Sequence, residues 1–265
     1  MEDAIAEIQF LANSSNRIRV LAAVADGATT RREVEVETGV ARSTVARALD
    51  EAEDRHWVGS EGSRYWVTPS GEARLTAFRS YLARTEGMQH LDDAFEWLPD
   101  PLHDLDFRHF RDADLTYPTP DNPTAPHDRA LALLREADTY RSLTENAPPE
   151  YMRLTRDRVA EGGLTFEGVV ERSFVESLTD PDRLTVWRDV AHRTWLYDGD
   201  VPLNLQVADD TALVWLCGEG SDGTETVVQG LLESDEPAVV SWASSVFEEF
   251  RAEAEPLEPT ELATA

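Results

Sequence analysis

Lysine is missing from this chain: all 24 of its cationic side chains are arginine. Cysteine is almost missing too. Cys217 stands alone, which excludes an intrachain disulfide and a zinc site built on cysteines. It closes the apolar run that begins at Ala212, so it reads as a small buried hydrophobe. No apolar stretch approaches the ~18 residues that a membrane span needs, and no basic-apolar leader opens the sequence. A soluble, cytoplasmic protein is expected. A Gly-rich phosphate loop ahead of a helix is absent, as is a G-x-S-x-G nucleophile turn. Neither an enzyme nor a bound cofactor is therefore expected.

What is present in excess is acid. The chain carries 52 Asp and Glu and a formal net charge of −28 over 265 residues. High acid content, missing lysine and many small residues resemble the proteins of salt-in halophiles, where molar salt cuts the Debye length to ~3 Å and self-repulsion costs little. The charge is unevenly placed. Residues 1–85 hold 11 arginines against 13 acids, a balance of −2, and residues 86–265 hold 13 against 39, a balance of −26. Polyanionic DNA would repel such a chain unless one region were kept close to neutral, and the first third is that region.

Local patterns divide that first third into short helices. Residues 3–12 place Ile5, Ile8 and Leu11 on one face, and Asn13-Ser14-Ser15 can cap a second helix running to about Ala25. Thr29 or Thr30 caps a third, which Gly39 stops. Within it Glu33-Val34-Glu35-Val36-Glu37 alternates with a period of two, the signature of a strand. The cap, the glycine stop and the shortness of the segment favour a helix all the same. A fourth helix from Ala41 to about Asp54 buries Val45, Ala48, Leu49 and Ala52, and shows Arg42, Ser43, Thr44 and Arg47 on its opposite side. Trp57–Ser60 and Arg64–Thr68 then flank a Gly-containing turn as a hairpin, and Pro69 opens a helix to about residue 85.

The stretch ETGVARSTVARALDEAE followed by HWVGSEGSRYWVTPSGEARL resembles the winged helix-turn-helix of IclR-, MarR- and ArsR-like regulators. That resemblance implies a recognition helix in the major groove, with Arg42, Ser43, Thr44 and Arg47 at base-reading positions and Arg64 on the wing. One departure is Ala41, which stands where such proteins usually carry a capping hydroxyl, a loss of ~1 kcal/mol of helix stability. Double-stranded DNA is the expected partner, bound by a homodimer in which helices 3–12 and 69–85 make the contact. The alternative is an adaptor whose winged helix docks another protein.

Residues 86–112 read as a connector. His90, His103 and His109 lie there with Asp104 and Asp106, but their spacing fits no common metal-ligand pattern, and no metal is expected. From residue 113 to 254 helix and strand signals alternate and then pass into strands joined by Asp-Gly, Asp-Asp and Gly-Glu-Gly-Ser-Asp-Gly turns, mostly antiparallel. The expected class is therefore α/β (α+β), a winged helix-turn-helix followed by a mixed sheet flanked by helices. The segments READTYRSLTENAPPEYMRLTRDRVAEGGLTFEGVVERSFVESL and WLYDGDVPLNLQVADDTALVWL resemble the C-terminal domain of archaeal filament and methanogenesis regulators. The resemblance implies a receiver for a small-molecule effector. Related domains resemble phospholipase D halves, whose His-x-Lys chemistry a lysine-free chain cannot perform. Polar residues at strand ends offer the candidate ligand contacts: Asn146, Glu171, Arg172, Tyr197 and Asn204. Residues 255–265 are expected to be a disordered tail.

Overall fold

A computed structural model describes residues 1–219 and 226–263, and the chain divides into two compact units, Met1–Thr85 and Glu86–Ala265. The first begins with α1 (Glu2–Ala12), α2 (Ser15–Ala25), α3 (Arg31–Thr38) and α4 (Arg42–Glu53). A two-stranded antiparallel hairpin follows, β1 (Val58–Glu61) with β2 (Arg64–Val67), and then α5 (Pro69–His90). The caps decide where the helices start. Ser14 accepts from the Arg17 amide, and Thr30 with Glu33 forms a reciprocal capping box at α3. That box settles the period-two conflict in favour of a helix. Val34 is fully buried while Val36, two residues on, is 79% exposed, so α3 has a single apolar contact line and the alternation is incidental. Gly39 ends α3 in the left-handed region at φ 66°.

The core of this unit collects Val20, Leu21, Val34, Val45, Leu49, Leu75 and Phe78, with the Phe10 and Trp57 rings edge to face at 5.2 Å. One expectation fails here. On α1, Phe10 and Leu11 are buried, but Ile5 and Ile8 are 46% and 52% exposed. The helix has only one end seated on the core.

The second unit is built on an eight-stranded sheet, in the order β10-β6-β5-β4-β7-β8-β9-β3 among the described residues. Its strands are β3 (Asp114–Thr116), β4 (Thr139–Thr144), β5 (Thr165–Glu171), β6 (Thr194–Tyr197), β7 (Leu205–Ala208), β8 (Thr211–Glu219), β9 (Thr226–Ser234) and β10 (Glu255–Pro256). Strands β4, β5 and β6 are mutually parallel, and every other pairing is antiparallel. Side chains alternate across the sheet. Tyr140, Phe166, Leu213 and Trp215 point into one core with α6 (Ala125–Glu136), α7 (Pro149–Ala160) and α9 (Pro181–Val190). Leu143, Val169, Val207 and Val214 point into a second core under α10 (Pro237–Glu253). Short α8 (Arg172–Glu176) follows β5. The class is the expected α/β, a mixed sheet flanked by helices.

Three details differ from the sequence reading. Residues 86–112 are not a free connector. Leu91, Ala94, Leu98, Leu102, Phe107 and Phe110 are buried on three short 3-10 turns that pack into the α10-side core. The histidines obscured this: His109 pairs with Glu236 at 3.1 Å and His90 meets the Ala113 carbonyl at 2.5 Å, so both are structural links. Second, the Asp198-Gly199 turn does not make a hairpin, because β6 pairs in parallel with β5 and β7 lies across β4. Third, residues 255–263 are ordered. Glu255–Pro256 add an edge strand to β6, and Leu257 and Leu262 are buried. Two leucines set among Glu255, Glu258, Thr260 and Glu261 were too sparse a pattern to read as a packed segment. The Gly-rich turn between β8 and β9 falls, from residue 220 to 225, outside the described residues.

Candidate functional site

The turn between α3 and α4 is held from three sides. The Thr38 hydroxyl donates to the Val34 carbonyl at 2.6 Å and accepts from the Val40 amide at 3.2 Å. The Arg19 guanidinium reaches across from α2 to the Thr38 carbonyl. Gly39 supplies the left-handed residue, and Val40 is buried as the anchor. Helix α4 therefore leaves a fixed point, although Ala41 gives it no side-chain cap.

Val45, Ala48, Leu49 and Ala52 seat α4 on the core, which turns Arg42, Ser43 and Arg47 to solvent and leaves Thr44 half-buried. Three of the four expected positions, Arg42, Ser43 and Arg47, thus share the open side of the first two turns, and Thr44 borders it. Their electrostatic states differ. Arg47 is 77% exposed and pairs with Glu51 at 2.9 Å, one turn along the helix. Glu51 also takes Arg17 at 2.7 Å, and these two guanidinium partners hold its carboxyl below the usual glutamate range. Arg42 and Arg64 have no carboxylate or carbonyl partner among the described residues.

The hairpin is positioned by its own contacts. The Tyr65 amide donates to the Thr29 carbonyl at 2.7 Å, and the Ser60 hydroxyl donates to Glu53 of α4 at 2.6 Å. Gly62, at φ 62°, makes the turn, and Arg64 follows it, exposed. Sequence reasoning passed over Trp66, which is exposed two residues beyond Arg64 and therefore on the same side of β2. Its indole lies across Gly59, where any Cβ would come within 2.6 Å of the ring. A glycine opposite a tryptophan was the available signal.

In the second unit a cavity of about 270 Å³ opens on the α6–α7–α9 side of the sheet. Its floor is one register row across four strands: Thr194, Gly168, Ser142 and Gln206. These small or polar residues stand where large hydrophobes would have filled the core. The walls are aromatic, with Tyr151 and Trp215 facing His127 at ring distances of 6.0 and 4.8 Å. Burial pushes the His127 imidazole below its ordinary value, favouring the neutral ring. The Trp215 indole donates to Gln206 at 2.5 Å. Burial also pushes the Cys217 thiol up to about 11, with Glu145 adding to the effect, so Cys217 contributes a neutral thiol.

Of the five expected ligand residues the cavity gathers two, Asn146 and Asn204. Asn204 accepts from the Thr144 hydroxyl at 2.7 Å and donates to Glu145 at 3.2 Å, while Asn146 donates to the same Glu145 oxygen at 3.3 Å. The other three lie outside it. Glu171 accepts from the Val201 amide at 2.7 Å, and Arg172 is spent on Glu255 and Glu261 at 2.7 and 3.1 Å. Tyr197 is edge to face with Phe250 in the opposite core, at 4.9 Å. Strand-end position drew attention to all five, but the alternation of sides along each strand decides which reach the cavity. Among the described residues no group of three or more His, Cys, Asp or Glu side chains converges as a metal site, and no helix is long and apolar enough to cross a membrane.

Residues 5–90 match the HVO_A0261 N-terminal domain, and residues 123–253 match the middle domain of the methanogenesis regulatory protein FilR1. No curated protein matches the chain. Among solved structures, TrmBL2, an archaeal chromatin protein with a novel mode of DNA binding, is 13% identical over 94% of this chain and 98% of its own, with a TM-score of 0.38. Nuc, a phospholipase D family member from Salmonella typhimurium, is 11% identical over 54% of this chain and 95% of its own, with a TM-score of 0.41. A putative transcriptional regulator from Rhodococcus sp. RHA1 is 13% identical over 96% of each chain, at 0.28. These overlays are loose, and the assignment rests on the two domain matches. The chain thus joins a domain that matches the HVO_A0261 N-terminal family to one that matches the middle domain of the regulatory protein FilR1.

Proposed function

We propose that this regulator reads a specific operator with the first two turns of α4 in the major groove, and that a small molecule held in the cavity of the second unit sets its activity. The observation that carries the reading is the open arc of Arg42, Ser43 and Arg47 on a helix locked at its entry, with the unpaired Arg64 on the adjoining hairpin. Arginine can bridge guanine O6 and N7, and serine accepts or donates at several base edges. The charge balance supports this, since acids are concentrated outside residues 1–85. The composition supports a halophile cytoplasm as the setting. There phosphate attraction is weak, and base contacts would supply most of the affinity.

A homodimer follows from the same reading, two α4 helices entering successive grooves. The incomplete seating of α1 supports it. Ile5, Ile8 and the 62% exposed Tyr81 of α5 stand beside an apolar groove lined by Leu11, Trp57 and Phe78. A second copy laying α1 and α5 against this groove would cover them.

The test is a gel shift on the gene's own promoter fragment in molar potassium chloride. Retarded wild-type protein, with loss of the shift in Arg42→Ala/Arg47→Ala, supports operator reading. Wild type that leaves every promoter fragment unshifted, yet co-purifies with one protein through α4, establishes the adaptor role in its place.

A further inference from the structure

We propose that the cavity under α6 and α7 is a receptor for a small organic cation: an ammonium group carried on a single apolar ring. The proposal rests on the reading of the second unit as an effector-binding domain and specifies its ligand.

Size sets the first limit. An apolar cavity of about 150 Å³ accommodates benzene. The 270 Å³ here suits one ring with a short arm and excludes a nucleotide. The walls set the second. Tyr151, Phe166, Trp187 and Trp215 surround the space, and aromatic faces attract cations as well as apolar rings.

Charge sets the third limit and decides the sign. Among the described residues no arginine lines the cavity, and its one histidine is held toward the neutral form by burial. Among the described residues Glu145 is the single carboxylate in the lining, and no cationic side chain pairs with it. The amide groups that might have greeted an anion, on Asn146 and Asn204, each place one N–H on its Oε1. Among the described residues the hydrogen bonds to this carboxylate fall on Oε1, which leaves Oε2 to receive an N–H. A phosphate or carboxylate would meet Glu145 without compensation, a costly arrangement in a half-buried site. An ammonium would neutralise it. The hydroxyls of Ser142 and Thr144 supply further acceptors along the floor and rim.

The experiment is a charge series at constant shape, using the full chain in potassium chloride: phenethylamine, 2-phenylethanol and phenylacetate. Binding is read by quenching of tryptophan fluorescence, since Trp187 and Trp215 line the cavity, and by the shift in melting temperature. The amine is expected to bind at least about tenfold tighter than the acid, with the alcohol between them. Glu145→Gln is expected to remove most of the amine's advantage and leave the alcohol unchanged. Ser142→Leu, which fills the floor, is expected to abolish all three. Equal or tighter binding of phenylacetate, no binding by any of the three, or an amine advantage that survives Glu145→Gln overturns the proposal. The effector reading itself is judged separately. It fails if Ser142→Leu, folded by circular dichroism, regulates transcription in cells as wild type does, whatever the charge series gives.

Discussion

The Nε of Arg47 donates to Oε1 of Glu51 at 2.9 Å, and the same carboxylate takes the Arg17 guanidinium at 2.7 Å. One acid thus ties an exposed α4 arginine to α2. This pre-sets the Arg47 side chain over the outer face of the helix, and the pair must open or swing for Arg47 to reach a base.

Arg47→Ala is expected to weaken specific operator binding by roughly 1–3 kcal/mol, the worth of one good base contact. Arg183→Ala, in the second unit, is expected to leave it unchanged. Fluorescence anisotropy with operator and scrambled duplexes checks both, and equal losses would overturn the assignment of roles.

Arg64→Ala should behave differently from Arg47→Ala. An unpaired arginine at a hairpin tip is placed for phosphate or minor groove, so its removal should lower affinity for all sequences alike. The slope of log K against log salt should fall by roughly one. A sequence-selective loss would make Arg64 a base reader.

Gly71→Ala tests how α5 is seated. In an open helix that change gains up to ~1 kcal/mol. Here a Cβ would run into the backbone carbonyl of Trp57, and overpacking of this kind costs typically ~1–3 kcal/mol. Net destabilisation is expected, read as a lower denaturation midpoint of the isolated transition of residues 1–85 or of the whole chain.

Leu262→Ala should lower the stability of the second unit by about 2–3 kcal/mol, a buried-leucine loss near the lower end of the usual range because the segment is close to the chain end. Urea melts would measure it. A change within error would mean that residues 255–263 contribute no packing in solution.

His127 gives the chain a pH dependence. Its folded-state value is lowered by burial, so the unfolded chain takes up the proton first as pH falls through the ordinary histidine range. The contribution is complete above about pH 6.5 and declines as pH falls toward the depressed value. The melting temperature of wild type should therefore drop between pH 7 and 5 by more than that of His127→Gln. Parallel curves would remove His127 as the cause.

Much of the amino-terminal unit was legible because its determinants are local. Thr30 and Glu33 cap α3 within one turn, Gly39 needs only its own φ, and Val45, Ala48, Leu49 and Ala52 mark the buried side of α4 by spacing alone. The open side, and with it Arg42, Ser43 and Arg47, follows by subtraction. The failures were non-local. Ile5 and Ile8 have the spacing of a core face, yet both stay about half exposed. Asp198-Gly199 has the chemistry of a hairpin turn, but β5 was a better partner for β6 than β7 was. The cavity belongs to the same class. Thr194, Gly168, Ser142 and Gln206 are far apart in sequence and become one row only when the register of four strands is fixed.

The amino-acid order by itself determined the boundaries of α2, α3 and α4, the side of α4 left to solvent and the concentration of acid beyond residue 85, since each depends on near neighbours or on counting. Tertiary structure alone decided that residues 86–112 and 255–263 join the core, that Glu171, Arg172 and Tyr197 turn away from the cavity, and that Glu145 shares a cavity with aromatic rings. The reason is that strand pairing and side alternation are set by which distant surfaces bury each other best, a comparison that no single segment contains.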